Sequence, residues 1–288
     1  MNTPNISFEF FPPKSLEGSF RLWDTVHALS PLAPKFVSVT YGAGGTTRDL
    51  THDAVTTIGA HTGLNVAAHL TCVDASRAET LDIARRYAKA GVKDIVALRG
   101  DAPNGADSFT PHPDGFANSC ELIEALAEAG DFNIRVGAYP EPHPEALTRT
   151  QDIDWLKRKI DAGASSAITQ FFFEADTFFR FRDACEKAGI DAPIIPGILP
   201  IHSWAGTKKF ADACGAYIPD WAHHAFEKAE RDDRSDLLAI ALCTELCSKL
   251  LDGGVEDLHF YTLNRPGLTR DVCHALGIQP EVTLEKVA

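Results

Sequence analysis

Helix-like apolar spacing gives way to a short apolar run again and again along this chain, and a glycine stands at the joins. They read HTGLNVAAHLTC, AKAGVKDIVALRG, AEAGDFNIRVGAYP, DAGASSAITQFFF, KAGIDAPIIPGILP and DGGVEDLHFYTLN, with the glycines at Gly63, Gly91, Gly130, Gly163, Gly189 and Gly254. Each is expected to close a helix in the left-handed conformation, where a side chain would cost roughly 1–2 kcal/mol. Ahead of the joins, Leu81, Ile83, Ala84, Tyr87 and Ala88 recur at helical spacing, as do Leu156, Lys159 and Ile160. The runs behind them are short and β-branched, as strands are. SFEFF near the start and FVSVT at 36–40, which follows a helix-like stretch over 22–29, bring the strand candidates to eight, alternating with helices. That alternation predicts a (β/α)8 TIM barrel, one catalytic domain over 1–288. A doubly wound open sheet is the alternative that strand counting leaves open. The interval from PGILP to LHFYTLN is about twice the usual spacing, which predicts extra helices between Trp204 and Leu251 before the last strand.

Composition narrows the function classes. The 288 residues are 44% hydrophobic and 23% charged, ordinary for a globular protein, with no apolar run near the ~20 residues that span a bilayer. The opening MNTPN lacks the basic and apolar regions of an export signal, so a cytoplasmic protein is expected. Seven cysteines without CxxC spacing suggest neither a disulfide framework nor structural zinc, and Cys243 and Cys247, set among leucines, read as small buried apolar residues. A net charge of -13 argues against a nucleic-acid surface, so an anionic ligand must meet a local basic spot.

In a barrel the chemistry gathers at the C-terminal ends of the strands. Those ends carry Glu9, Thr40 with Tyr41, His69 with Thr71, Arg99 with Asp101, Tyr139 with Glu141 and His143, Gln170, and Tyr261 with Asn264 and Arg265. Taken singly, each has an ordinary structural explanation: a lone histidine usually packs, and Arg99 with Asp101 reads equally well as a loop ion pair. Together they exceed what packing needs and point to a site. No metal is expected, because His69 and His143 fall into no ligand spacing, and no GxSxG marks a serine nucleophile. The glycines of Gly42-Ala43-Gly44-Gly45 read as a turn rather than a dinucleotide fingerprint.

FEFFPPK (8–14), PKFVSVTYGAGGTTRD (34–49), AAHLTC (67–72), VALRGD (96–101), AYPEPHPEA (138–146), DAGASSAITQFFF (161–173), IIPGILPI (194–201) and HFYTLNR (259–265) resemble methylenetetrahydrofolate reductases of the short bacterial type. The resemblance runs from Phe8 to about Gly277. It implies a flavoprotein holding FAD, which takes hydride from NADH or NADPH, most often NADH, and passes it to 5,10-methylenetetrahydrofolate. The 5-methyltetrahydrofolate produced would serve methionine synthesis. It further implies ping-pong kinetics, the two substrates taking one position in turn, and a homo-oligomer.

By the same resemblance Glu9 is the general acid. Alternation along the strand puts Ser7, Glu9 and Phe11 on one face and Phe8 and Phe10 on the other, and apolar neighbours are expected to raise the proton affinity of the carboxyl. Asp101 is implied beside flavin and pterin, Gln170 at the pterin amide, Tyr261 and Arg265 near the folate, and Phe210 at a position shared by folate and nicotinamide. FAD contacts are implied for Thr40, Tyr41, Ala43, His69, Leu98, Arg99, Gly100, Asp101, Tyr139, His143, Asp152, Arg158 and Lys159, the last two supplying positive charge for a pyrophosphate. Two positions depart from the pattern: Gly206 stands for a glutamine that touches the pterin, and Trp155 for a polar residue near the FAD. A methyl-transferring folate barrel would need a cobalamin or zinc-thiolate motif that is not seen. A noncatalytic flavin protein would have little use for both Glu9 and Asp101.

Overall fold

A computed structural model of the chain describes residues 3–41, 48–101, 109–146 and 148–280. Ala43 and the glycine-rich turn around it lie outside that set. Nine strand segments occur among the described residues: β1 (Asn5–Phe10), β2 (Phe36–Val39), β3 (Val66–Thr71), β4 (Asp94–Leu98), β5 (Asn133–Ala138), β6 (Ser166–Thr169), β7 (Ile194–Ile195), β8 (Gly197–Ile198) and β9 (Asp257–Tyr261). All pair in parallel, in the order β7-β6-β5-β4-β3-β2-β1-β9-β8.

The ends of that order are neighbours in sequence. Only Pro196 separates β7, which pairs with β6, from β8, which pairs with β9. Proline has no N–H to give a ladder, so the strand breaks there and changes partner, while the Pro196 carbonyl still accepts from the His259 N–H at 3.0 Å. The two pieces act as one strand that closes the ring. The eight-strand barrel expected from the sequence is the fold observed.

Alternation gives each strand two jobs. Phe8, Phe10, Val39, Ala68 and Leu70 face outward into the main core under the helices, while Phe36, Ala67, Val96, Ile168 and Ile195 fill the inside of the barrel. The interior also holds charge: Arg135 pairs with Asp94 and lays its guanidinium 4.0 Å over the Phe36 ring.

The surrounding helices are α1 (Leu16–Leu29), α2 (Arg48–Thr62), α3 (Arg77–Lys89), α4 (Ser119–Ala129), α5 (Arg149–Asp161), α6 (Ala175–Lys187), α7 (Trp204–Cys214), α8 (Asp220–Arg231), α9 (Ser235–Asp252) and α10 (Pro266–Ala275). Helix α3 begins with a capping box, in which Ser76 and Glu79 each satisfy the other's backbone N–H. Three helices lie between β8 and β9, as the long interval predicted, and with α10 they enclose a second, smaller core in which Trp204 stacks on Phe226 at 4.4 Å. Cys243 and Cys247 are buried free thiols, and their burial is as expected.

Five of the six join glycines have positive φ. Gly130 is the exception: at φ 176 the chain leaves α4 fully extended, a conformation that needs no left-handed residue. No helix among the described residues is long and apolar enough to cross a membrane.

Candidate functional site

At the C-terminal ends of β3 to β6 a cleft opens in two chambers. The larger, about 330 Å³, is walled by β4 and its loop (Leu98 to Asp101), by Tyr139 and His143, and by Asp152 and Lys159 of α5, with Tyr41 at the rim. The smaller, about 220 Å³, shares Arg99, Asp101, Tyr139 and His143 with it and adds Gln170 and Cys214. Residues from four separate strand ends are thus gathered where the barrel rule puts a site.

Gly100 makes the turn that aims Arg99 and Asp101 into the cleft. It sits at φ +87, and a Cβ there would lie 2.4 Å from the Val73 side chain. Arg99 is held bidentately by Glu145, at 2.5 and 3.1 Å, and covers the Phe109 ring at 5.1 Å. Tyr139 is packed edge-on against His143 at 4.7 Å. Burial pushes the Tyr139 hydroxyl up to about 12 and draws the His143 imidazole below its usual range, so both are neutral near pH 7.

The basic spot an acidic protein requires is Lys159. Its ammonium reaches in from α5 and donates to the Gly137 carbonyl at 2.9 Å. Desolvation pulls it down to about 8, against the opposing pull of Cys120 and Asp152. Asp152 accepts from the His143 N–H at 3.0 Å, and burial raises its carboxyl above the ordinary value. Thr71 Oγ1, on the cleft wall, is buried with no hydrogen-bond partner. An enclosed cation on a carbonyl and an unpaired hydroxyl suit a ligand with anionic and hydrogen-bonding groups.

Other expected residues are placed differently. Arg158 is exposed and lies 5.1 Å over the ring of Trp155, and it is Trp155 that faces the cleft. Phe210, 39% exposed on α7, stacks on Phe171 at 5.1 Å, beside Gln170. Arg265 sits at the N-terminal edge of α10. Thr40 follows β2, and there its carbonyl accepts from Thr51 and its N–H donates to the Phe10 carbonyl. None of these four lines either chamber.

Glu9 lies inside the barrel, in register with Ser38 on one side and Tyr261 on the other, its side chain 16% exposed. Its surroundings correct the apolar setting expected from the sequence. His69 Nε2 is 3.4 Å from Glu9 Oε2 and His259 Nε2 is 3.9 Å away. The physical reason is alternation on other strands: His69 shares the inward face of β3 with Ala67 and Thr71, and His259 that of β9 with Tyr261. Tyr261 donates to the Thr169 carbonyl at 2.6 Å, and burial carries its hydroxyl well above the usual range. Burial lowers the proton affinity of His69, more than the nearby Glu9 raises it. Glu9, His69 and Tyr261 line neither chamber; Thr71, two residues beyond His69 on β3, lines the larger. His259 and Glu145 were not singled out from the sequence. His259 was accessible from its two-residue spacing to Tyr261, whereas Glu145 carried no local signal.

Fold and cleft together define a (β/α)8-barrel protein with its polar groups at the C-terminal ends of the strands. Residues 1–277 match the family model described as methylenetetrahydrofolate reductase. The chain belongs to that family, whose members reduce methylenetetrahydrofolate. It is 48% identical over 277 residues to the 5,10-methylenetetrahydrofolate reductase of Salmonella typhimurium, covering 96% of this chain and 92% of the relative. Against the Escherichia coli K12 enzyme of that name, identity is 47% with the same coverage. A probable methylenetetrahydrofolate reductase (NADH) from Oryza sativa is 35% identical across 97% of this chain but only 49% of the rice protein. Among solved structures, an uncharacterized protein from Clostridium thermocellum that binds two copies of 5-methyl-5,6,7,8-tetrahydrofolic acid shares the fold, with TM-score 0.64, 16% identity, and coverage of 96% of this chain and 95% of that one.

Proposed function

We propose that this protein reduces 5,10-methylenetetrahydrofolate to 5-methyltetrahydrofolate with FAD as its cofactor and NADH as its reductant, the two substrates alternating at one position. The observation that carries the reading is the convergence of Arg99, Asp101, Tyr139, His143, Asp152 and Lys159 in one cleft next to the Glu9 cluster. The name of the rice relative supports NADH.

The residues fit a dinucleotide cofactor. Lys159 can answer a pyrophosphate, Asp152 and Thr71 are placed to bond hydroxyl or amide groups, and Leu98 with Tyr139 offers apolar walls for a flat ring. When bound, FAD supplies the hydride chemistry, accepting from nicotinamide and donating to the folate. The remaining work falls to the chain. Glu9 gives a proton to a ring nitrogen of methylenetetrahydrofolate, opening the five-membered ring to a reducible iminium ion. Asp101, in both chambers, hydrogen-bonds the pterin and balances the positive charge that ring opening creates. Gln170 meets the pterin amide from the smaller chamber.

The test separates the two half-reactions. Purified protein is expected to show a flavin spectrum that NADH bleaches and methylenetetrahydrofolate restores. Glu9→Gln is expected to bleach normally and to recolour about 10²- to 10⁴-fold more slowly, the usual contribution of a general acid. A colourless protein, or equal loss of both steps in the variant, would defeat the proposal.

A further inference from the structure

Behind Glu9 the barrel interior holds a chain of polar atoms that the proposed chemistry has not yet used. Ser7 Oγ lies 3.3 Å from the Leu258 carbonyl oxygen and 2.8 Å from His259 Nδ1. A carbonyl oxygen only accepts. For both contacts to be hydrogen bonds, the serine must give its single hydrogen to Leu258 and receive one from His259 Nδ1–H. A neutral imidazole with its hydrogen on Nδ1 carries a bare lone pair on Nε2. That atom is buried, has no hydrogen-bond partner, and lies 3.9 Å from Glu9 Oε2.

The ring has little freedom to do otherwise. His259 is 0% exposed, stacks on Phe36 with centroids 5.6 Å apart at 15°, and meets Tyr261 edge-on at 5.4 Å. Phe36 is itself fixed from another side by the Arg135 guanidinium. On the opposite side of the carboxyl, His69 Nε2 is also buried and unpartnered.

We propose that Ser7 and His259 are positioning residues for Glu9: the serine holds the imidazole with its lone pair toward the carboxyl, which favours the carboxyl as a proton donor. The proposal rests on Glu9 being the acid of the folate step. A lone pair accepts a hydrogen bond from a carboxylic acid and repels a carboxylate, so the arrangement discriminates between the two forms by sign. At 3.9 Å the two atoms stand beyond hydrogen-bond length, so the bond forms only when the Glu9 side chain turns toward His259. In the reaction the proton passes from Glu9 to the substrate nitrogen, and His259 keeps its own hydrogen throughout.

The experiment is nitrogen-15 imidazole NMR on the intact protein, alongside the two half-reactions. The wild type should show His259 as the neutral Nδ1–H tautomer. Ser7→Ala should shift that signal toward the Nε2–H form and slow folate-dependent recolouring about 10- to 100-fold with NADH bleaching unchanged. Ser7→Thr, which restores a hydroxyl, should recover both the tautomer and the rate. An Nε2–H or doubly protonated His259 in the wild type overturns the proposal whatever the variants do. So does a Ser7→Ala protein that recolours at the wild-type rate, or that loses both half-reactions equally. Failure of the wild type itself to recolour would instead strike the reading of the folate step.

Discussion

Lys159 shows how one side chain's environment becomes a measurable property. Its ammonium sits on a carbonyl rather than against a carboxylate, and desolvation draws it down to about 8. Below that pH it is charged and can pair with a phosphate; above it the pairing is lost. Tyr139, up near 12, and His143, below the ordinary histidine range, titrate on either side of this window. Affinity for FAD is therefore expected to hold up to about pH 8 and then to fall by up to roughly tenfold per pH unit, measured by flavin fluorescence titration. Affinity flat to pH 10 would separate Lys159 from the anion. The sequence marked Lys159 and Arg158 as an equal basic pair, because adjacent residues cannot be told apart by charge. A helix turns ~100° per residue, which sends one into the cleft and the other over Trp155 into solvent. Glu9 was legible in the same limited way: its own alternation was, but the two imidazoles that face it come from β3 and β9.

Among the elements, the seventh staves of the barrel repay attention because the sequence IIPGILP reads as one strand and folds as two. Proline ends β7 and glycine begins β8, and the glycine is required by space rather than by φ. A Cβ on Gly197 would lie 2.1 Å from the Thr169 carbonyl oxygen and 2.7 Å from the Tyr261 hydroxyl, the two groups that hydrogen-bond each other across the barrel. Neither can give way without the other. Gly197→Ala is expected to destabilise the fold by about 3 kcal/mol, the upper range for an overpacked core, in denaturant unfolding. It should also weaken folate binding by displacing Tyr261. A neutral substitution would mean that the β7 to β8 join is softer than the contact implies. Glycine positions in the sequence announced breaks between elements well, and Gly130 shows their limit: a join marks where a helix ends, while the conformation in which the chain leaves it, left-handed or extended, is not written in the glycine.

Across the whole molecule, what local pattern could not supply is which strand ends meet. The repeating helix–strand joins gave the barrel, and the resemblance named part of the cleft lining, yet Arg99 of the β4 loop meets Glu145 of the β5 loop only because β4 and β5 pair side by side. The cleft is therefore a joint between consecutive strand–helix units, and a ligand that fills it bridges the β3, β4 and β5 loops at once. Binding to the folded state alone adds about 2.7 kcal/mol at a hundredfold excess over Kd. For a chain of this size that corresponds to a rise in Tm of roughly 4–5 °C. FAD is expected to give that rise. FMN, which lacks the second phosphate and the adenosine that would reach Trp155 and Lys159, is expected to give distinctly less at the same free concentration, because its Kd is higher when half of the joint stays open. Calorimetry with the two flavins decides the point: equal shifts would place the whole binding energy at the Leu98 to Tyr139 end and leave α5 with no part in holding the cofactor.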